Sequence, residues 1–189
     1  MQTSNGMSNR SAPEGLLLST DWDKRSLRTT LGRFATGVTI VTTRGKDGSR
    51  IGLTVNSFSA LSLDPPLVLW SLGKSQGSLE AFRTCSQFAI NVLSESQIAL
   101  SQRFSSPVAD RFAGVDFACS DDGIPLIGGC AAYFLCNSYQ HMELGDHLLF
   151  VGQVERLGMT RDRALLFHDG AYAIPASHPE WQPKPPSVS

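Results

Sequence analysis

No apolar run in this 189-residue chain approaches the roughly 20 residues that a bilayer-spanning helix needs. Leu16-Leu17-Leu18 is too short, and too closely flanked by polar residues, for a secretory signal. Charge of one sign is also lacking: 16 Lys and Arg face 17 Asp and Glu, for a net charge of −1. That balance excludes the basic surplus typical of nucleic-acid binders. Cysteine is sparse, at positions 85, 119, 130 and 136, with no CxxC pair and no histidine at zinc-finger spacing. Cys130 and Cys136 fall in one expected strand, about 20 Å apart at 3.3 Å per residue, too far for a mutual disulfide. Free thiols are expected. GxGxxG and the Walker A loop are absent, so neither of these signatures assigns a dinucleotide or mononucleotide loop. The pair Asp121-Asp122 reads as a polar turn. What remains is 41% hydrophobic and 17% charged, enough to bury a core. A soluble cytoplasmic protein is expected, with no membrane and no nucleic-acid partner.

The ends differ from the middle. Residues 1–18 are rich in Ser, Asn, Gly and Pro and read as a disordered tail. Residues 177–189 hold four prolines and read as a second, extended tail in which Trp181 is a candidate anchor. One domain is expected over 19–176. Thr20 and Asp23 have capping spacing, and Leu27, Leu31 and Phe34 then share one face of a helix expected over 20–36. Strands are expected at 38–43, 51–56, 67–72 and 88–92, with an Asp-Gly turn at 47–48. Ser78 is placed to cap a short helix ending near residue 84. Ser94 and Gln97 have capping-box spacing before a helix ending near Phe104. Residues 105–127 read mostly as loop. Two long strands follow, 130–142 and 147–158, and then a hairpin pairing 164–167 with 171–174. About seven strands and three helices in hairpin order predict a mainly β protein with flanking helices. A small barrel would remove the sheet's unpaired edges.

Three stretches carry chemistry. Thr54-Val-Asn-Ser-Phe-Ser59 ends a strand with hydroxyls and an amide, groups able to read a flat heteroaromatic ring and a hydroxylated chain; taken alone, a solvated strand face followed by a Ser-rich turn is the simpler account. Ser71-Leu-Gly-Lys-Ser-Gln-Gly-Ser78 combines Gly, Lys and Ser before a helix, a composition suited to phosphate or simply to a loop. Leu144-Gly-Asp-His147 is a turn followed by a histidine. His141, Glu143, Asp146 and His147 match no familiar metal-ligand spacing, and no metal is assigned.

In order, Phe34-Ala-Thr-Gly-Val38, Gly52-Leu-Thr-Val-Asn-Ser-Phe-Ser-Ala-Leu-Ser-Leu-Asp-Pro-Pro-Leu-Val68, Phe88-Ala-Ile-Asn-Val-Leu93, Gly145-Asp-His147 and the hairpin Leu165–Tyr172 resemble the flavin reductase-like family. The resemblance covers about residues 22–175. It implies an FMN-binding split β-barrel and an NAD(P)H:flavin oxidoreductase serving a two-component monooxygenase. FMN or FAD and NADH or NADPH would be the cofactors, a flavin-dependent monooxygenase the partner, and a homodimer the assembly. By the same resemblance Thr54, Val55, Asn56 and Ser57 line the flavin ring and ribityl chain, and Ser71, Lys74 and Ser75 hold the phosphate. The segment Ser101 to Phe104 borders the pocket, and His147 lies by the nicotinamide. No side chain is expected to act as a catalytic acid or base, because positioning of the two cofactors dominates. Two departures stand out: His168-Asp-Gly-Ala171 replaces a basic final hairpin, and Trp70 replaces a smaller residue. The rival reading is a flavin-binding electron carrier or sensor. The apolar strands Val38–Val41 and Leu67–Leu72 exceed what one small barrel interior needs, which is compatible with a dimer.

Overall fold

The computed structural model describes residues 18–180, with Pro13 and Leu16; the remaining positions of the two expected tails, Trp181 included, lie outside the described residues. Twelve strands and three helices are present among them. Seven strands form one antiparallel sheet in the order β3 (Arg50–Val55), β2 (Thr39–Arg44), β6 (Gln87–Val92), β9 (Ala132–Leu144), β10 (His147–Met159), β5 (Pro66–Gly73), β4 (Ser59–Leu63). The other strands are short: β1 (Thr36–Gly37), β7 (Phe117–Cys119), β8 (Pro125–Ile127), β11 (Leu166–His168) and β12 (Ala171–Ala173). The expected count of about seven strands therefore describes the large sheet. The pair β7–β8, which reads in sequence as loop, was hidden because three-residue strands have no period to detect.

The sheet does not close through a ladder, and β3 and β4 remain its edges. A side chain ties the segment after β3 to β5. β4 begins at Ser59, opposite Leu69, so pairing along that edge of β5 stops short of Ser71. The Ser57 hydroxyl takes its place, accepting from the Ser71 N–H at 3.0 Å and donating to the Ser71 carbonyl at 3.2 Å.

Apolar residues pack on both faces of the sheet. Trp70 is the centre of one core, fully buried and stacked on Phe150 at 4.5 Å and 14°, with Phe82 and Phe88 meeting it edge-on. The other core joins Val38, Ile40, Leu93, Phe104, Phe112 and Leu165. Strand β2 separates them, Val41 facing the first and Ile40 the second. The apolar residues of β2 are thus buried within one chain, whereas Leu67 and Leu69 of β5 are only partly buried.

The helices correct the expected boundaries. Helix α1 spans Lys24–Leu31, capped by Asp23, whose carboxylate accepts from the Ser26 N–H at 2.7 Å; it buries none of its residues. Helix α2 spans Leu79–Thr84, and the Ser78 side chain makes no capping bond. Helix α3 spans Ile98–Ser105. Before it, Gln97 Oε1 accepts from the Ser94 N–H at 3.0 Å, one half of the expected capping box. At the final hairpin, Asp169 and Gly170 form the turn with φ of +50° and +80°, conformations that Asp and Gly tolerate.

Candidate functional site

The end of β3, the end of β5, the last turn of α3 and the β9–β10 turn converge on an open cavity of about 630 Å³, within the size range of small-molecule sites. Thr54, Val55, Asn56, Ser57, Ser71, Lys74, Ser75, Phe104 and His147, all proposed from the sequence, line it; of the expected segment 101–104, Phe104 alone does so. Their positions follow from local folding. Strand β3 ends at Val55 and delivers 54–57 as one wall. Loop 73–78 follows β5, and the Lys74 N–H fixes it to the Asp146 carbonyl at 2.9 Å. Register brings His147 opposite Gly73 across β10 and β5. Phe104 is fully buried behind the wall, edge-on to Phe112 at 5.0 Å. Gly52 is required there, because a Cβ would lie 2.8 Å from the Phe104 ring.

The hydroxyls of this wall are less free than the sequence suggests. Thr54 Oγ1 donates to the Ser101 carbonyl at 2.8 Å, and Ser57 donates to Ser71. Both can therefore only accept from a ligand. The side-chain amide of Asn56 makes no hydrogen bond among the described residues and is exposed, leaving both its donors and its acceptor available.

The cavity mouth is charged. Lys74 Nζ lies 3.0 Å from Glu143 Oε2. The hydrogen bond from Lys74, and then its charge, hold the Glu143 carboxyl below its ordinary range. His147 Nδ1 lies 2.7 Å from Asp146 Oδ1, and this bond, followed by the ring's charge, lowers the Asp146 pKa. With Nδ1 engaged by a carboxylate, the neutral ring presents Nε2 as its acceptor.

Gln76 and Asp146, from the stretches 71–78 and 144–147, also line the cavity, as do Arg111 and Ser105, which were not singled out from sequence. Arg111 sits in the segment read as loop, where no period pointed to it. Its guanidinium donates to the carbonyls of Ser106 and Gly52, fixing that loop to β3 and leaving a second cation at the wall. Ser101 lies behind the cavity, buried, with its hydroxyl 2.9 Å from Tyr172 OH.

Both departures from the family pattern fall outside the cavity lining. Trp70 points into the barrel core. In the final hairpin, Asp169 pairs with Arg33 at 3.2 Å and its N–H donates to the Gly32 carbonyl, so this turn packs against the end of α1. Among the described residues, no group of three or more His, Cys, Asp or Glu gathers to hold a metal ion.

The profile of the flavin reductase like domain matches residues 31–175. The chain belongs to the flavin reductase-like family. It is 44% identical over 150 residues to FMN reductase (NADH) SmoA of Agrobacterium fabrum, a match covering 79% of this chain and 85% of that one. It is 43% identical over 152 residues to the reductase component of the flavin-dependent trigonelline monooxygenase of Acinetobacter baylyi, covering 80% of this chain and 49% of the relative. The chain thus spans about half the length of some curated relatives it matches. Among solved structures, the NADH:FAD oxidoreductase SgcE6 of Streptomyces globisporus, in complex with NAD and FAD fragments, superposes with a TM-score of 0.78 at 33% identity, covering 85% of this chain and 96% of that one. The coiled antiparallel sheet is therefore the split barrel of this flavin reductase-like family.

Proposed function

We propose that the protein is an NAD(P)H-dependent flavin reductase that supplies reduced FMN or FAD to a partner monooxygenase. The observation that carries this is the convergence of four separate chain segments on one open cavity, with a hydrogen-bonding wall at one side and a cation and a histidine at its mouth. The names of its relatives agree with it.

The donor set fits a flavin. The amide and backbone of 54–57 suit the edge of a heteroaromatic ring, and the accepting hydroxyls of Thr54 and Ser57 suit a polyol chain. Loop 71–76, with Lys74, suits a phosphate. Bound together, the nicotinamide supplies a hydride and the flavin ring accepts it. The protein's part is to bind and orient. β3 and α3 fix the wall, Ser57 holds β3 to β5, and Asp146 sets the His147 ring so that Nε2 is presented at the mouth, where a nicotinamide carboxamide could donate to it. An open cavity suits a flavin that exchanges.

The assembly belongs to the same proposal. Leu27, Leu31 and Phe34 stand exposed along one side of α1 and the turn after it, as do Leu157 and Met159 on β10. A second copy would cover such apolar surface, giving a homodimer. Sedimentation at micromolar concentration tests this, and a monomer contradicts it. No helix among the described residues is long and apolar enough to cross a membrane. The function is tested by titrating FMN, FAD and riboflavin into the protein and then adding NADH anaerobically. Quenching of flavin fluorescence followed by bleaching of the flavin band is expected. Bound flavin that NADH and NADPH leave oxidised would contradict it and favour a carrier or sensor.

A further inference from the structure

Lys74 stands at the cavity mouth already paired. Its ammonium lies 3.0 Å from Glu143, and both side chains are partly exposed, at 39% and 64%. The backbone holds them together. The Lys74 N–H is bonded to the Asp146 carbonyl, and register places Leu148 between Leu72 on one side and Glu143 on the other. Lys74 therefore reaches across the end of β10 to a carboxylate fixed on β9. Glu143 itself is outside the cavity lining.

A phosphate arriving at this loop meets a lysine whose charge is offset. We infer that Glu143 competes with the phosphate of the flavin nucleotide for Lys74, lowering the nucleotide's affinity and hastening its departure. This rests on the placement of the phosphate end at residues 71–76 proposed above. The pair is solvent-exposed, so the phosphate can displace it, and the competition amounts to about a two- to fivefold change in affinity rather than a block. A phosphate dianion offers more charge and more acceptor oxygens than one carboxylate, which sets the direction of the exchange. A flavin without phosphate does not enter the contest.

The test uses FMN and riboflavin, titrated at low ionic strength against the parent protein, Glu143→Gln, Lys74→Met and the double variant. Glu143→Gln is expected to lower the FMN Kd two- to fivefold and leave riboflavin unchanged. Lys74→Met is expected to raise the FMN Kd and again spare riboflavin. In the Lys74→Met background, Glu143→Gln is expected to add nothing. If Glu143→Gln leaves FMN unchanged while Lys74→Met still weakens FMN selectively, the role of Glu143 is overturned and the phosphate placement stands. If Glu143→Gln tightens FMN equally without Lys74, its effect is a general field and the competition is overturned. If Lys74→Met affects FMN and riboflavin alike, the placement fails and this inference fails with it.

Discussion

Replacing Ser57 by Ala removes a hydroxyl that ties the segment after β3 to β5. That hydroxyl accepts from the Ser71 N–H at 3.0 Å and donates to the Ser71 carbonyl at 3.2 Å. β4 pairs with β5 only from Leu69 toward Pro66, so no strand replaces it at Ser71. Each such bond contributes about 0.5–1.5 kcal/mol net, and a half-buried position lets water recover part of that. The expected loss is about 1–2 kcal/mol. For a domain of this size, each kcal/mol moves the midpoint by about 2–4 °C, so a fall of about 2–8 °C is expected. Thermal unfolding followed by circular dichroism measures it, with urea midpoints as a check. Ser75→Ala is the control, since Ser75 lines the same cavity but makes no side-chain hydrogen bond among the described residues. Its midpoint is expected to stay within about 1 °C of the parent. A Ser57→Ala midpoint as close to the parent as this control would refute that tie and leave Ser57 as a ligand contact only.

Other expectations concern the mouth and the core. His147→Ala should raise KM for the nicotinamide nucleotide more than it changes the flavin Kd; loss of flavin affinity with an unchanged nicotinamide KM would reverse that assignment. Trp70→Ala should cost about 3–5 kcal/mol in urea unfolding, because it opens a cavity among Phe82, Phe88 and Phe150; a cost under about 1 kcal/mol would mean that Trp70 does not organise this core. Burial pushes the Cys130 and Cys136 thiols up to about 12. The unfolded chain loses those protons near the ordinary thiol value while the folded chain keeps them, so stability should decline as pH rises from about 9 toward 12. Exchanging both for Ala or Val should flatten that part of the profile, and an equally steep decline in the variant would exclude them as its cause.

Much of the site was readable because it sits at strand ends that announce themselves. Thr54 to Ser57 break an alternating strand with polar residues, and Asp64-Pro-Pro66 and the glycines of 73–77 mark the neighbouring turns. The final hairpin was readable from Asp169-Gly170, a pair suited to positive φ. What stayed hidden depends on direction and distance. Nothing local says that the Thr54 and Ser57 hydroxyls point at the carbonyls of Ser101 and Ser71, since those partners are 47 and 14 residues away. Arg111 was missed for the same reason, its carbonyl partner on β3 lying 59 residues back. Helix α1 was overextended because Leu27, Leu31 and Phe34 keep helical spacing, yet the helix stops at Leu31 and its apolar side faces outward. Trp70 looked out of place in sequence, but alternation along β5 turns it into the barrel and leaves Ser71 at the cavity.

The proposed activity is met most directly by following NADH and NADPH absorbance in the presence of the purified protein, with and without FMN, FAD or riboflavin. Oxidation that requires added flavin, turns over many equivalents and falls sharply in a variant carrying both Asn56→Ala and His147→Ala is the predicted result. Flavin that binds but supports no oxidation of either nucleotide would contradict it.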